Sequence, residues 1–418
     1  MKSFAHLPRA CWWVAGATLV NRMGAMVFPF LVLYFHRGLG LPLEIAGSVA
    51  ACWGLGSFVS GPLGGWASDR VDPVRLMGLS MLAAGSLMFA FPWIHSLPWL
   101  VLCTFGLALL ADLGRPSTMT ALARLGGTEH GRDAFALNYM AINLGMSIGP
   151  TLGGFLAEMD YRYLFWVDGA TSATAAALLL LSGTVCPPLE KIANTHVDWN
   201  IGPAAFRMYL WLSLFFWSFM TFFAAGPVYA VKWLHLSEHD VGYIWLFNTS
   251  LIVLTNLWVN RLTAGYSLPR LLAAGCACQA LSYLTLGVAP GIGGLVLATL
   301  WLTIGEMLLF SNANAYVARV VPAEKMGRAM GINALCVSLA LITSAPTMGY
   351  FFARHSPNWL WATMGATAGV AALGMARLPG HERPREEPPD CDSTDDTHRL
   401  HATNTQPRLD PEFLDTTD

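Results

Sequence analysis

The chain has 418 residues, of which 55% are hydrophobic and only 12% are charged, and its formal net charge is −2. Soluble globular proteins carry about 25% charged residues, so a soluble domain of this size could not cover its surface with so few charges. The composition excludes a disordered protein, a secreted disulfide scaffold and a nucleic-acid binder, because the last of these needs a basic surface. It predicts an integral membrane protein that is predominantly helical.

The apolar sequence divides into twelve segments at clusters of polar residues, glycine and proline. Each segment reaches the length of about 20 residues that a helix needs to cross the hydrocarbon core. The first is a membrane helix rather than a signal peptide, because Asn21 and Arg22 interrupt its apolar run and no convincing cleavage site follows. The predicted helices span 11–35, 45–67, 75–95, 98–123, 134–157, 163–185, 206–232, 240–262, 269–289, 293–319, 328–352 and 358–378.

These helices predict an all-α integral membrane protein with two pseudo-symmetric six-helix bundles. We expect the N-terminal bundle over 1–185, a cytoplasmic linker over 186–205, the C-terminal bundle over 206–378 and a tail over 379–418. The tail holds 11 Asp and Glu against 4 Lys and Arg and has no apolar periodicity. This composition predicts a disordered, acidic cytoplasmic tail.

Basic residues are distributed unequally between the two sides of the predicted helices. With the N-terminus in the cytoplasm, 14 Lys and Arg fall at cytoplasmic ends and loops, and 4 fall on the opposite side. This bias follows the positive-inside rule. We therefore predict a multi-pass protein of a bacterial plasma membrane with both termini in the cytoplasm.

The two halves of the chain repeat polar residues at an offset near 196. Pro150 follows 19 residues after Gly131, and Pro346 follows 19 residues after Gly327, with an arginine directly after each glycine. Internal repeats with a binding site between them near the bilayer midplane are the architecture of secondary transporters. The repeat therefore favours a transporter.

The loop between the second and third helices reads Gly65-Trp-Ala-Ser-Asp69-Arg70-Val-Asp72-Pro-Val-Arg75. We expect Gly65 to allow close helix packing and Asp69 to meet a helix N-terminus or an arginine. The loop resembles the Gly-x-x-x-Asp-Arg-x-Gly-x-x-Arg signature of the major facilitator superfamily, with Asp72 where that family usually has glycine. The resemblance implies that Asp69 and Arg70 latch the two halves in the outward-open state. Ordinary topogenic charge is the alternative interpretation.

The predicted fifth helix carries Gly145, Gly149 and Gly153 at every fourth position, together with Pro150 and Gly154. Such a stripe lets another helix approach closely, and the proline bends the helix. The pattern is similar to the Gly-x-x-x-Gly-Pro-x-x-Gly-Gly motif of drug:proton antiporters in the same superfamily. Generic packing of small residues is the alternative.

Four ionisable residues lie near the middle of predicted membrane helices, where charges are costly and are functional candidates. They are Arg22, Asp112, Arg115 and Glu306. The two carboxylates occupy nearly equivalent depths in the two halves, so we predict that they bind protons or substrate charge near the midplane. A structural ion pair one helical turn apart is the alternative for Asp112 and Arg115.

Uncharged polar residues and aromatic residues complete the set of candidates. We expect Asn21, Asn143, Asn312 and Asn333 to line the cavity or to join helices. Asp168, near the outer end of the sixth helix, is expected to mark a boundary. The candidate aromatic walls are Trp53, Trp217, Phe219, Phe223 and Trp245, although packing against lipid or other helices is the commoner role.

The predicted function is proton-coupled efflux of small amphipathic compounds or drugs by alternating access. The chain lacks a phosphate-binding Gly-x-x-x-x-Gly-Lys-Ser/Thr loop and any catalytic or metal-binding pattern, so we expect neither an enzyme nor a cofactor. The expected partners are a small-molecule substrate, protons and the lipid bilayer, with no nucleic acid, and we expect a monomer. A proton-linked importer of a small polar solute and a non-transporting receptor or scaffold are the alternatives.

Overall fold

A computed structural model describes residues 6–68, 70–186, 201–321 and 325–380. Within these ranges the chain is all-α, and its helices are numbered α1 to α12 in the order that the sequence predicts. Every predicted boundary lies within four residues of the observed one. The helices span Arg9–Gly38, Leu43–Ser68, Pro73–Trp93, Leu97–Gly127, Asp133–Met159, Arg162–Leu181, Pro203–Lys232, Glu238–Thr263, Leu268–Val288, Ile292–Val320, Met326–Arg354 and Pro357–Ala376.

Eleven of these helices are long and apolar enough to cross a membrane, and α8 is the exception. With 26 residues α8 is long enough to span. Its first turn is polar because Ser237 caps it and Asp240 completes a reciprocal capping box. The polar residues of α8 matter for the site described below.

Two helices depart from regular geometry. The first, α1, consists of a segment Arg9–Met23 and a second segment Val27–Leu33, which continues as a π-helical turn to Gly38. Between α4 and α5 the chain stays helical except at Gly127, whose φ of 57° and ψ of −159° turn it sharply. A positive φ of this size is accessible to glycine at little cost.

The twelve helices form two six-helix bundles, α1–α6 and α7–α12. In the first, α2 packs on α4, α1 on α5, and α3 on α6; in the second, α9 packs on α10 and α12, and α11 on α7. The bundles meet along α2 with α11 and α5 with α8. We call the side where α1 begins and α12 ends the termini end, and the side where α1 ends and α8 begins the far end.

Three predicted features lie outside the described residues. These are Asp69, residues 187–200 of the predicted linker over 186–205, and residues 381–418 of the predicted tail over 379–418. The predicted domain boundaries therefore stay predictions.

Candidate functional site

A cavity of about 760 Å³ lies between the two bundles. Residues of α1 and α5 line one wall, and residues of α7, α8 and α10 line the other. The lining runs from Trp12 and Tyr139, which are 46% and 65% exposed, to Pro150 and Glu306 in the middle of their helices. The cavity therefore opens toward the termini end and closes near the middle of the molecule.

Glu306 is the one charged side chain among the described residues that line this cavity. The Asn248 side-chain amide donates to its carboxylate over 3.3 Å and to the Thr303 hydroxyl over 2.8 Å. No cation among the described residues lies within ion-pair distance of Glu306. The carboxylate is therefore available to a proton or to a cationic ligand.

Aromatic residues line the same cavity as this carboxylate. The rings of Phe223 and Trp245 lie 4.5 Å apart, and both residues line the cavity. Asn143, Asn248 and Asn256 are polar groups of the same lining. An apolar cavity with a few convergent polar groups is the usual form of a small-molecule site.

The predicted partner of Glu306 in the other half has different surroundings. Asp112 is buried, accepts a hydrogen bond from the Ser57 hydroxyl of α2, and forms an ion pair of 2.9 Å with Arg115. It does not belong to the described cavity lining. Of the two carboxylates that the sequence places at nearly equal depth, Asp112 is therefore paired with a cation, whereas Glu306 has no such partner among the described residues.

Arg22 ends the first segment of α1 and lies near the ion pair of α4. Asp112, Arg115 and Asp168 are the charged side chains that act on its guanidinium. Its Nε is buried without a hydrogen-bond partner among the described residues. Three of the four predicted intramembrane charges thus come together in the N-terminal bundle, and Glu306 lies in the other.

Asp168 was expected to mark a boundary, but the structure buries it. It is 5% exposed and lies against the break in α1, where the backbone amides of Met26 and Val27 and the hydroxyl of Ser172 face its carboxylate. A lone acidic residue in an apolar segment was the available sequence signal. The predicted helix over 163–185 placed Asp168 near its outer end. Because α6 spans only Arg162–Leu181, Asp168 lies nearer the middle of the helix than predicted.

The glycine stripe of α5 packs against the break in α1. A side-chain carbon at Gly149 would lie 3.0 Å from the carbonyl oxygen of Arg22, and one at Gly153 would lie 2.8 Å from Met26 Cβ. A side-chain carbon at Gly145 would likewise collide with Arg22. The helix that approaches the stripe is thus α1, in the same bundle.

Gly154 has a different neighbour. A side-chain carbon there would lie 2.7 Å from the Glu238 carbonyl oxygen and 2.7 Å from Gly242 Cα, both in α8. This contact joins the two bundles near the far end. Pro150, between the two surfaces, lines the cavity.

The loop after α2 shows how the chain accommodates Asp72. Its carboxylate caps α3 by accepting the Arg75 amide at 2.9 Å, and it also accepts the Cys186 amide at 2.7 Å. Arg70 lies over the Trp66 ring, 4.2 Å from its centroid. Apart from its chain neighbours and the backbone of its own helix, no atom of the described residues lies within 4 Å of a side-chain carbon built at Gly65.

The close approach expected at Gly65 occurs instead at its neighbour. A side-chain carbon at Gly64 would lie 2.7 Å from the Leu113 carbonyl oxygen of α4. The packing contact belongs to Gly64 and not to the predicted Gly65, because the helical phase that faces α4 is that of Gly64 in this conformation.

The remaining predicted asparagines divide between cavity and helix contacts. Asn143 lines the cavity, and its amide donates to the Tyr139 carbonyl over 2.8 Å. Asn21 donates to the Ser172 hydroxyl over 3.0 Å, and Asn312 to the Leu308 carbonyl over 2.7 Å. Asn312 and Asn333 do not belong to the described cavity lining.

Polar contacts between the bundles close the far end. Tyr161 donates to Glu238 over 2.6 Å, Glu158 contacts His239, and Arg354 pairs with Glu44 over 2.8 Å. Burial and the hydrogen bond to Glu238 raise the pKa of Tyr161, so its hydroxyl stays protonated and donates. With the cavity open at the opposite end, the structure is open on one side only.

Several known proteins resemble this chain over most of its length. YqjV of Bacillus subtilis, named an uncharacterised MFS-type transporter, is 23% identical, with 90% of this chain and 95% of that protein covered. The quinolone resistance protein NorA of Staphylococcus aureus is 22% identical, with coverages of 83% and 91%.

Solved structures show the same fold. A crystal structure of the peptide transporter POT in complex with sulfate matches with a TM-score of 0.74 and 17% identity, covering 91% of this chain and 97% of that one. The family model described as Major Facilitator Superfamily matches residues 14–342 and 208–400. The chain belongs to the major facilitator superfamily and is a multi-pass integral membrane transporter of small molecules.

Proposed function

We propose that this transporter exports lipophilic cations in exchange for protons, with Glu306 as the shared binding group. The observation that carries the proposal is the cavity itself, in which Glu306 is the one charged side chain of the described lining and aromatic rings form the adjacent wall. A carboxylate beside aromatic faces attracts an organic cation through charge and through the ring quadrupoles. The name of NorA, a quinolone resistance protein, agrees with an exporter.

A single carboxylate that binds either a proton or a cation also explains why the transporter would exchange one for the other. Closing the cavity around an unpaired ionised Glu306 would bury a charge without a partner, which is unfavourable. A bound proton or a bound monovalent cation removes that cost, but both cannot occupy the same carboxylate. The carrier therefore changes conformation with either the proton or the cation, and net transport of one requires return of the other.

The positive-inside prediction sets the side to which the cavity of this conformation opens. If the termini face the cytoplasm, the open cavity of this conformation takes substrate from the cytoplasm and the far end releases it. Asp69 and Arg70 would then latch the opposite, outward-open state, in which the termini ends of the bundles approach. An N256C variant labelled by a membrane-impermeant maleimide from the cytoplasmic side alone would support this orientation.

Proteoliposomes loaded with ethidium, a lipophilic aromatic cation, test the coupling. A pH gradient should drive ethidium transport by the unsubstituted protein, and Glu306→Gln should abolish that response. Glu306→Asp, which keeps the charge, should retain part of it. Asp112→Asn is the control at matched depth in the other half. It should lose less of the pH-driven transport, because Asp112 is already paired with Arg115.

Two results would contradict the proposal. Undiminished pH-driven transport in a Glu306→Gln, Asp112→Asn double variant would exclude both carboxylates from coupling. Movement of ethidium in the same direction as the protons would favour the importer alternative.

A further inference from the structure

The break in α1 is held from two sides. Residues 24–26 separate its segments Arg9–Met23 and Val27–Leu33. Gly149 of α5 packs against one side of the break, and Thr171 of α6 occupies the space where Gly24 lacks a side chain. The position of the second segment relative to the first is therefore set by α5 and α6.

Asp168 of α6 is the polar group at this break. Its carboxylate faces the amides of Met26 and Val27, which begin the second segment. Ser172, one turn later, faces the same carboxylate and accepts a hydrogen bond from Asn21 of the first segment. Asp168 and Ser172 thus connect both segments of α1 to α6.

The charges around Asp168 are few. Arg22 of α1 is the charged side chain that acts on it. From α3, Gly85 and Phe89 pack beside Gly169, and neither is titratable. From α5, the glycine stripe faces α1 rather than α6. Arg22 in turn is close enough to Asp168 and to the Asp112–Arg115 ion pair for their charges to act on it.

We propose that Asp168 is a second proton-binding carboxylate of the transport cycle and that its charge controls the break in α1. The proposal rests on the proton-coupled function proposed above. An ionised carboxylate at this position can accept hydrogen bonds from the amides and the hydroxyl that face it, and it attracts Arg22. A protonated carboxyl group accepts these hydrogen bonds more weakly and no longer attracts Arg22, so the second segment is held less firmly to α6.

The second segment of α1 leads directly to the far end. It continues through the π-helical turn to Arg37, whose guanidinium lies 2.9 Å from Glu238 of the other bundle. Loosening of the break by protonation therefore acts on a contact that must separate when the far end opens. Asp168 acts through α1 and Arg22, so it is a positioning residue that differs in location and role from Glu306.

The test measures conformation without substrate. Spin labels at Met159 and Val288, exposed residues at the far ends of the two bundles, report the separation of these ends in detergent. The unsubstituted protein should shift toward longer distances as the pH is lowered. Asp168→Asn should lose this pH dependence, whereas Thr174→Ala, on the same helix, should keep it.

A second variant keeps the test valid if Asp168→Asn does not fold. Ser172→Ala removes a donor to the carboxylate and should move the midpoint of the pH response without abolishing it. A pH response of unchanged midpoint in Ser172→Ala, or an unchanged response in a folded Asp168→Asn protein, would overturn the proposal.

Glu306→Gln separates this inference from the proposed function. It should keep the substrate-free pH response of the spin labels while losing pH-driven ethidium transport. If Glu306→Gln still couples transport to protons but Asp168→Asn loses the conformational response, the role of Glu306 fails and that of Asp168 stands. The converse result removes Asp168 and leaves the exchange at Glu306 intact.

Discussion

Arg37 of α1 donates a hydrogen bond of 2.9 Å to the carboxylate of Glu238, the first residue of α8, and thereby joins the two bundles at the far end. The Tyr161 hydroxyl donates to the same carboxylate oxygen over 2.6 Å. Glu238 is only 8% exposed, so these two donors take the place of water around its carboxylate. The contact stabilises the conformation in which the far end is closed.

We expect Arg37→Gln to shift the conformational equilibrium toward far-end opening. Arg37 is half exposed, so solvent screening limits its contribution to about 1 kcal/mol, which corresponds to a population change of about 5-fold. Spin labels at Met159 and Val288 measure the shift. Asp160→Asn breaks a local pair with Arg162 inside one bundle and should leave the distances unchanged; an equal response in both variants would contradict the prediction.

Gly154→Ala should prevent closure of the far end. The new methyl group would lie 2.7 Å from backbone atoms of Glu238 and Gly242, which cannot move aside like a flexible side chain. Overpacking of this kind costs about 1–3 kcal/mol, so we expect transport to fall by about tenfold and the labels to separate. Gly369→Ala meets no atom within 4 Å and is the control. Wild-type flux in Gly154→Ala would show that the bundles need not meet at this glycine.

Gly24→Ala should destabilise the protein through its contact with Thr171. The side chain of Thr171 fills the space beside Gly24, with its Cβ 2.8 Å from the position of an added carbon. We expect a loss of about 1–3 kcal/mol in unfolding free energy, measured as a lower midpoint of thermal unfolding in detergent. Thr171→Gly should restore part of the loss in the double variant. Strict additivity of the two changes would mean that they do not interact.

Asp72 should affect both the stability of α3 and the reactivity of Cys186. Replacing a capping aspartate by alanine costs about 1 kcal/mol, while asparagine can still cap, so Asp72→Ala should unfold at a lower temperature than Asp72→Asn.

Labelling of the Cys186 thiol gives an independent measurement of the effect of Asp72. Burial, reinforced by the Asp72 charge, raises the pKa of this thiol to about 11, so little thiolate exists near neutral pH. Both Asp72 variants remove the charge and should lower that pKa, which increases the thiolate fraction and the rate of maleimide labelling. Labelling of folded Asp72→Asn at the wild-type rate would argue against the charge effect.

The fold class and helix ends could be predicted because their signals are local. Hydropathy over about 20 residues defines a spanning helix, and caps such as Ser237 and Ser356 mark where helices begin. The family motifs and the intramembrane acid Glu306 were also visible in the sequence. An ionisable residue in an apolar segment needs no tertiary contact to be recognised as unusual.

The surroundings of each charge could not be predicted in the same way. Asp112 and Glu306 occupy matched depths, yet one is paired with Arg115 and the other lines the cavity. The difference depends on the direction of each side chain around its helix axis and on the neighbour in that direction. Neither quantity is contained in the spacing along one helix.

The sequence by itself determined that this is a helical membrane protein, where its helices begin and end to within four residues, and which few charged residues lie near their middle, because the cost of placing charge in hydrocarbon is a property of each segment. Only the tertiary structure decided that the glycine stripe of α5 meets α1, that Gly154 meets α8, and that Asp168 lies at the break in α1. These contacts join residues far apart in sequence. They depend on the rotation and packing of whole helices, which local hydropathy leaves open.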